Sequence, residues 1–173
     1  MKKLAERIKA LGGVKVVPVY GKGRLGQPSK PLEVGPYSVK TVWGGYIAHA
    51  LGRYYIVERD DQNATVPEVD TLRELFRGGE RVLLLVDEIA DYFDNLYNSG
   101  SEDDRRYAKN VDNFFDRLST ALLGSSSAMV MTLPMEKKEG GAFEVEGEYN
   151  REVVLAIWSA VTRVGGSELY SPH

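Results

Sequence analysis

Five consecutive apolar residues, Val82-Leu-Leu-Leu-Val86, run straight into two carboxylates, Asp87 and Glu88. A stretch with no polar side chain suits a strand buried on both faces, as in a parallel sheet covered by helices. Acids at the carboxyl end of such a strand stand where open α/β sheets place their ligands. This feature alone predicts a layered α/β fold and the rim on which a site would lie.

The rest of the chain alternates accordingly. Leu4, Ile8 and Leu11 recur at helical spacing over residues 3–11, and Gly12-Gly13 stops that helix. Residues 14–20 predict a strand that lies at a sheet edge or stops early, because Pro18 cannot donate to a ladder. Residues 21–36, rich in Gly, Pro, Lys and Ser, predict a mobile loop. A helix is expected from a cap at Thr41 to a stop at Gly52, with Trp43, Ile47 and Leu51 on one side. Residues 60–65 read as loop, and a further helix opens at Pro67 and carries Val69, Leu72, Leu75 and Phe76. Glu88 to Tyr97 predicts a helix, residues 98–104 a loop, and residues 105–123 one longer helix with Tyr107, Val111, Phe114, Phe115, Leu118 and Leu122 inward. Residues 128–133 predict a second buried strand, 135–149 a mobile polar excursion, and 151–163 a last helix before a loop tail from Gly165. Alternation of this kind argues for one domain over residues 1–173, a mostly parallel sheet with helices on both faces.

Composition narrows the chemistry. There is no cysteine, which excludes thiolate catalysis and disulfides, and two histidines, His49 and His173, are too few for a histidine metal site. A net charge of −3 does not indicate nucleic acid or an anionic membrane as a partner. No apolar run approaches the roughly 20 residues of a membrane span, and Glu6, Arg7 and Lys9 interrupt any signal-peptide core, so a cytoplasmic location is expected. Trp43 and Trp158 are expected in the core, and His49 on a helix surface or in packing.

The paired acids suit a magnesium–phosphate site. Asp87 would hold the metal, often through water, because Mg2+ keeps several waters and needs few protein oxygens. Glu88 would act as general base on the attacking water. Thr132, at the end of the second strand, would touch a terminal phosphate, and Arg163 or Arg151 would supply a stabilising positive charge. A rival assignment has Asp87 capping the next helix and Glu88 in its first turn. Another has Asp87, Glu88 and Asp91 serving a magnesium-dependent hydrolase or nuclease, with Asp87 and Asp91 four apart on one helix face. The phosphate-gripping loop Gly-x4-Gly-Lys-Ser/Thr is missing. Its nearest counterpart, Gly21-Lys-Gly-Arg-Leu-Gly26, is followed by Gln27-Pro28 and reads instead as a connector with exposed cations.

Thr41-Val-Trp-Gly44, Ile47 to Gly52, Leu72 to Leu75, Val82 to Glu88, Ala128 to Pro134 and Val153 to Arg163 together resemble a family of large predicted AAA-type ATPases, catalogued as domain of unknown function 499. The resemblance covers most of residues 40–170. It implies a three-layer P-loop ATPase-like domain, incomplete at its amino-terminal side, with Asp87 and Glu88 as the Walker B acids, Thr132 as sensor 1, and Mg2+ and ATP as cofactors. Members carry the full phosphate loop upstream of the strand matched by residues 14–20. The expected role is therefore a domain that retains the Walker B acids, does not hydrolyse ATP alone, and acts in binding or assembly, as a homodimer or with a partner chain. A purely structural or interaction module is the alternative.

Overall fold

A computed structural model describes residues 13–163 of the chain. The helix expected over residues 3–11 and the tail from Gly165 lie outside them.

Three parallel strands form the central sheet: β1 (Val14–Tyr20), β4 (Arg81–Asp87) and β5 (Ala128–Met131), in the order β1-β4-β5. The register pairs Val16 with Leu83, Pro18 with Leu85, and Tyr20 with Asp87, and then Leu83 with Ala128 and Leu85 with Val130. β1 lies at an edge, as Pro18 requires. Both connections step in the same direction across the sheet. Right-handed crossovers of that kind lay their helices on one face.

That face holds the core. Val17, Val19, Val82, Leu84 and Val86 are buried against helices α3 (Val69–Leu75), α4 (Ile89–Tyr97), α6 (Val111–Leu122) and α7 (Arg151–Arg163). Phe93, Tyr107, Phe114 and Phe115 fill it, and Trp43 packs on Tyr107 and Phe114 with centroids 4.6 and 4.8 Å away. Trp158 stacks on Phe143, and His49 lies edge-on to Tyr37. The opposite face is open among the described residues: Val16, Leu85 and Val130 are 42, 38 and 56% exposed. The apolar run 82–86 is therefore buried on alternate residues, not throughout, and the expected second helical layer is not found within residues 13–163.

Several elements differ from the sequence-based expectation. Residues 21–36 include strand β2 (Leu32–Val34), which pairs with β3 (Tyr37–Val39) about a left-handed Gly35. Thr41 caps a helix as expected, accepting a hydrogen bond from the Gly44 amide, but that helix, α1 (Val42–Ala48), is wound wide as a π-helix. Residues 58–63 form α2 rather than loop, because Asp61 is wholly buried and accepts from Thr41, Lys40 and Tyr54. The long helix expected over 105–123 is two, α5 (Glu102–Ala108) and α6, separated at Lys109-Asn110. Residues 135–149 contain a hairpin, β6 (Met135–Lys137) with β7 (Phe143–Val145).

Candidate functional site at the carboxyl edge of the sheet

Side chains alternate along a strand, so the residues that continue the open face beyond Pro18, Leu85 and Val130 are Tyr20, Asp87 and Thr132. The Thr132 amide donates to the Val86 carbonyl at 3.0 Å, which keeps Thr132 in register past the end of β5. Its hydroxyl donates to Asp87 Oδ1 and accepts from the Glu88 amide at 3.3 Å. Two strands thus deliver Asp87 and Thr132 to one point on the rim.

Glu88 follows with φ +52° and ψ +30°, a left-handed conformation uncommon for a residue with a Cβ. It occupies the position before α4 without capping it by its side chain. The capping assignment thus fails on both counts: the Asp87 carboxylate turns to Thr132, and Glu88 lies outside the first helical turn. Two features fix Glu88 where it is. The Gly21 amide donates to the Asp87 carbonyl at 2.8 Å, and a Cβ on Gly21 would lie 1.9 Å from the Glu88 carbonyl oxygen, so only glycine allows this close approach. Lys22 then reaches back and donates to Glu88 Oε1 at 2.6 Å, with Asp91 Oδ2 3.9 Å from the same ammonium.

The charges respond to one another. Hydrogen bonds from Lys22 and then Tyr20 hold the Glu88 carboxyl below its ordinary pKa, and the Glu88 bond raises that of Lys22. The same carboxylate raises the Tyr20 phenol. Tyr149, arriving from the loop before α7, donates to Asp91 Oδ2 at 3.3 Å; burial and then Asp91 raise its phenol.

Among the residues singled out from sequence, the fold brings Asp87, Glu88 and Thr132 together. Asp87 and Asp91 do not share a helix face, since Asp87 closes β4 and Asp91 belongs to α4. Among the described residues no three His, Cys, Asp or Glu side chains are grouped to hold a metal ion. Arg151 opens α7 and Arg163 closes it, about 18 Å further on at ~1.5 Å per residue. Arg163 pairs with Asp116 at 3.4 Å, away from the rim. The Gly21–Gly26 loop is no phosphate cradle of the usual form, because Gln27 donates its side-chain amide to Ser29 and Asp104. Tyr20, Lys22 and Tyr149 escaped the sequence reading. The second residue after a strand paired with β4 would have pointed to Lys22, had the strand order been known.

The family model of the DUF499 N-terminal domain matches residues 1–169. The chain belongs to this family. No curated protein and no solved structure matches it. Within the DUF499 N-terminal domain the Asp87–Thr132 pair and the Lys22–Glu88 pair therefore take their meaning from geometry.

Proposed function

We propose that this chain is the Walker B half of an AAA-like P-loop ATPase domain, with the phosphate grip supplied by another segment. The observation that carries the proposal is the meeting of Asp87 and Thr132 from adjacent parallel strands, beside a Glu88 held out of its helix. An acid on one strand with a hydroxyl on the next is the donor set expected around a hydrated magnesium ion and a terminal phosphate. The residues fit the metal side: Asp87 would hold Mg2+ through water, with Thr132 fixing the carboxylate. They do not fit the phosphate side, since Gln27-Pro28 stands where a phosphate loop carries its lysine and hydroxyl. When bound, the ion would stabilise charge on transferring phosphate. Glu88, once released by Lys22, would orient a water as its base.

The open face supports the assembly half of the reading. A strand pairing with the outer edge of β5, followed by a helix returning towards β1, would move against the direction of the existing crossovers. Right-handedness would lay that helix on Val16, Leu83, Leu85 and Val130. Its first turn would fall at the carboxyl edge beside Asp87, where amides grip phosphate. Another segment, which this sequence does not contain, would supply such a unit; a second copy would only cover the open face.

Paramagnetic Mn2+ tests the metal side. It is expected to broaden the amide signals of Asp87, Glu88 and Thr132 first, and Asp87→Asn abolishes this; broadening centred elsewhere overturns the assignment. MgATP alone is expected to leave the melting temperature unchanged, whereas saturation at ~100 times Kd would stabilise by about 2.7 kcal/mol. A shift lost in Asp87→Ala would show that the chain grips phosphate unaided. Light scattering at tens of micromolar, expected to give a dimer mass that Val130→Asp reduces to monomer, tests the homodimer form.

A further inference from the structure

The segment after β1 is built more firmly than a connector needs. Asp104, wholly buried on α5, accepts hydrogen bonds from the Ser29 amide at 2.9 Å, the Ser29 hydroxyl, the Gln27 side chain at 2.8 Å and Ser99 at 2.8 Å. Leu25 is buried, and Tyr92 donates to the Gly26 carbonyl at 2.7 Å. Gly26 has φ +79°, and a Cβ there would lie 2.5 Å from the Val39 carbonyl oxygen, so the turn requires glycine. The anchored segment encloses a cleft of 460 Å³. That volume lies within the range of small-molecule sites.

The lining is of two kinds. Leu25, Pro31, Leu32 and Tyr92 supply apolar wall, while Arg24 and Lys30 supply cations. Lys22 also lines the cleft, but its charge is committed to Glu88 and Asp91. Arg24 and Lys30 have no carboxylate partner among the described residues, and the amides of Arg24, Leu25 and Gly26 find no protein acceptor there. The one acid in the lining, Glu33, accepts from Ser38. A guanidinium and an ammonium in the lining of one cleft, on a segment with amides free of protein acceptors, supply chemistry that recognises phosphate.

We propose that this cleft binds an organic phosphate, its anionic group on Arg24 and Lys30 and its apolar part against Leu25, Leu32 and Tyr92. The site adjoins the Asp87 rim through Gly21 and Lys22, uses different side chains, and does not rest on the ATPase reading. Isothermal titration of the full chain with AMP, in EDTA to exclude magnesium, tests it. Saturable binding is expected, tighter than that of inorganic phosphate. Replacing both exposed cations (Arg24→Gln with Lys30→Gln) is expected to weaken it at least about tenfold, the loss of charge-assisted hydrogen bonds. Asp87→Asn is expected to leave it unchanged. Absence of saturable binding overturns the proposal, as does equal weakening by Arg73→Gln with Arg77→Gln, two surface cations far along the chain. Binding lost in Asp87→Asn and kept in the Arg24/Lys30 variant would overturn it too, and would place the anion on the strand rim. Circular dichroism of each variant confirms that the comparison is between folded proteins.

Discussion

Glu88 is where local preference and function pull apart. A residue with a Cβ in the left-handed region costs roughly 1–2 kcal/mol relative to glycine. The Lys22 bond offsets little of that, because water screens an exposed ion pair. Glu88→Gly is therefore expected to raise the urea midpoint, the relief of the left-handed backbone exceeding the entropy that glycine adds to the unfolded chain. A loss of stability would mean that the carboxylate holds the fold together. Lys22→Ala tests the same pair by protonation. Its removal takes away the largest cause of the depressed Glu88 pKa, so carboxyl NMR should show Glu88 titrating at higher pH, while Tyr20 alone remains to hold it down. An unmoved titration would mean that Lys22 and Glu88 do not meet in solution.

Among the elements, the sequence was readable where side chains repeat and unreadable where one buried polar group decides. The periodic helices 89–97 and 151–163 emerged with their apolar faces, and strand 81–87 emerged in place but with one face open where burial on both is expected; Asp87, Glu88 and Thr132 lie at strand ends as read. Residues 60–65 read as loop because Asp-Asp-Gln-Asn-Ala-Thr shows no apolar stripe, yet 58–63 form helix α2. It folds around the buried carboxylate of Asp61, which no periodicity reveals. Lys22 was missed for a related reason: its partner lies 66 residues away and depends on β1 neighbouring β4.

Interior phenols join these elements and make a pH test. Tyr107 accepts from the Val42 amide at 2.9 Å, and Tyr92 donates to the Gly26 carbonyl with its hydroxyl 3.2 Å from that of Tyr107, tying α1, α4, α5 and the loop after β1. Burial, in each case the largest cause, raises the phenols of Tyr54, Tyr92 and Tyr107, that of Tyr54 to about 12. In the unfolded chain they titrate near 10. A group whose folded pKa is raised contributes stability that is whole below the unfolded value and is lost as pH rises through the folded one. The urea midpoint should thus hold up to pH ~10 and fall between about 10 and 12, with a shallower fall in Tyr54→Phe. A midpoint flat through that window would mean that these phenols are solvated.

At the scale of the whole molecule the decisive property is the inequality of the two sheet faces. Leu84 and Val86 lie on the helix-covered face and are almost wholly buried, whereas Leu85 and Val130 occupy the other. The residues alternate within one apolar run, so hydropathy cannot tell them apart, and the difference arises from both crossovers falling on one side. Leu84→Ala should therefore cost about 2–5 kcal/mol, a cavity plus lost transfer energy. Leu85→Thr with Val130→Thr, in the isolated chain at nanomolar concentration, should cost less than about 1 kcal/mol, since little contact exists to lose. The contrast changes on assembly. At concentrations where a second copy or partner covers the open face, the double threonine variant should lose stability relative to the parent while Leu84→Ala keeps the same deficit, because only the former acts on the docked layer. Equal costs for the two faces in the dilute chain would show the sheet to be covered on both sides already, and would remove both the open face and the site that needs a second layer to close it.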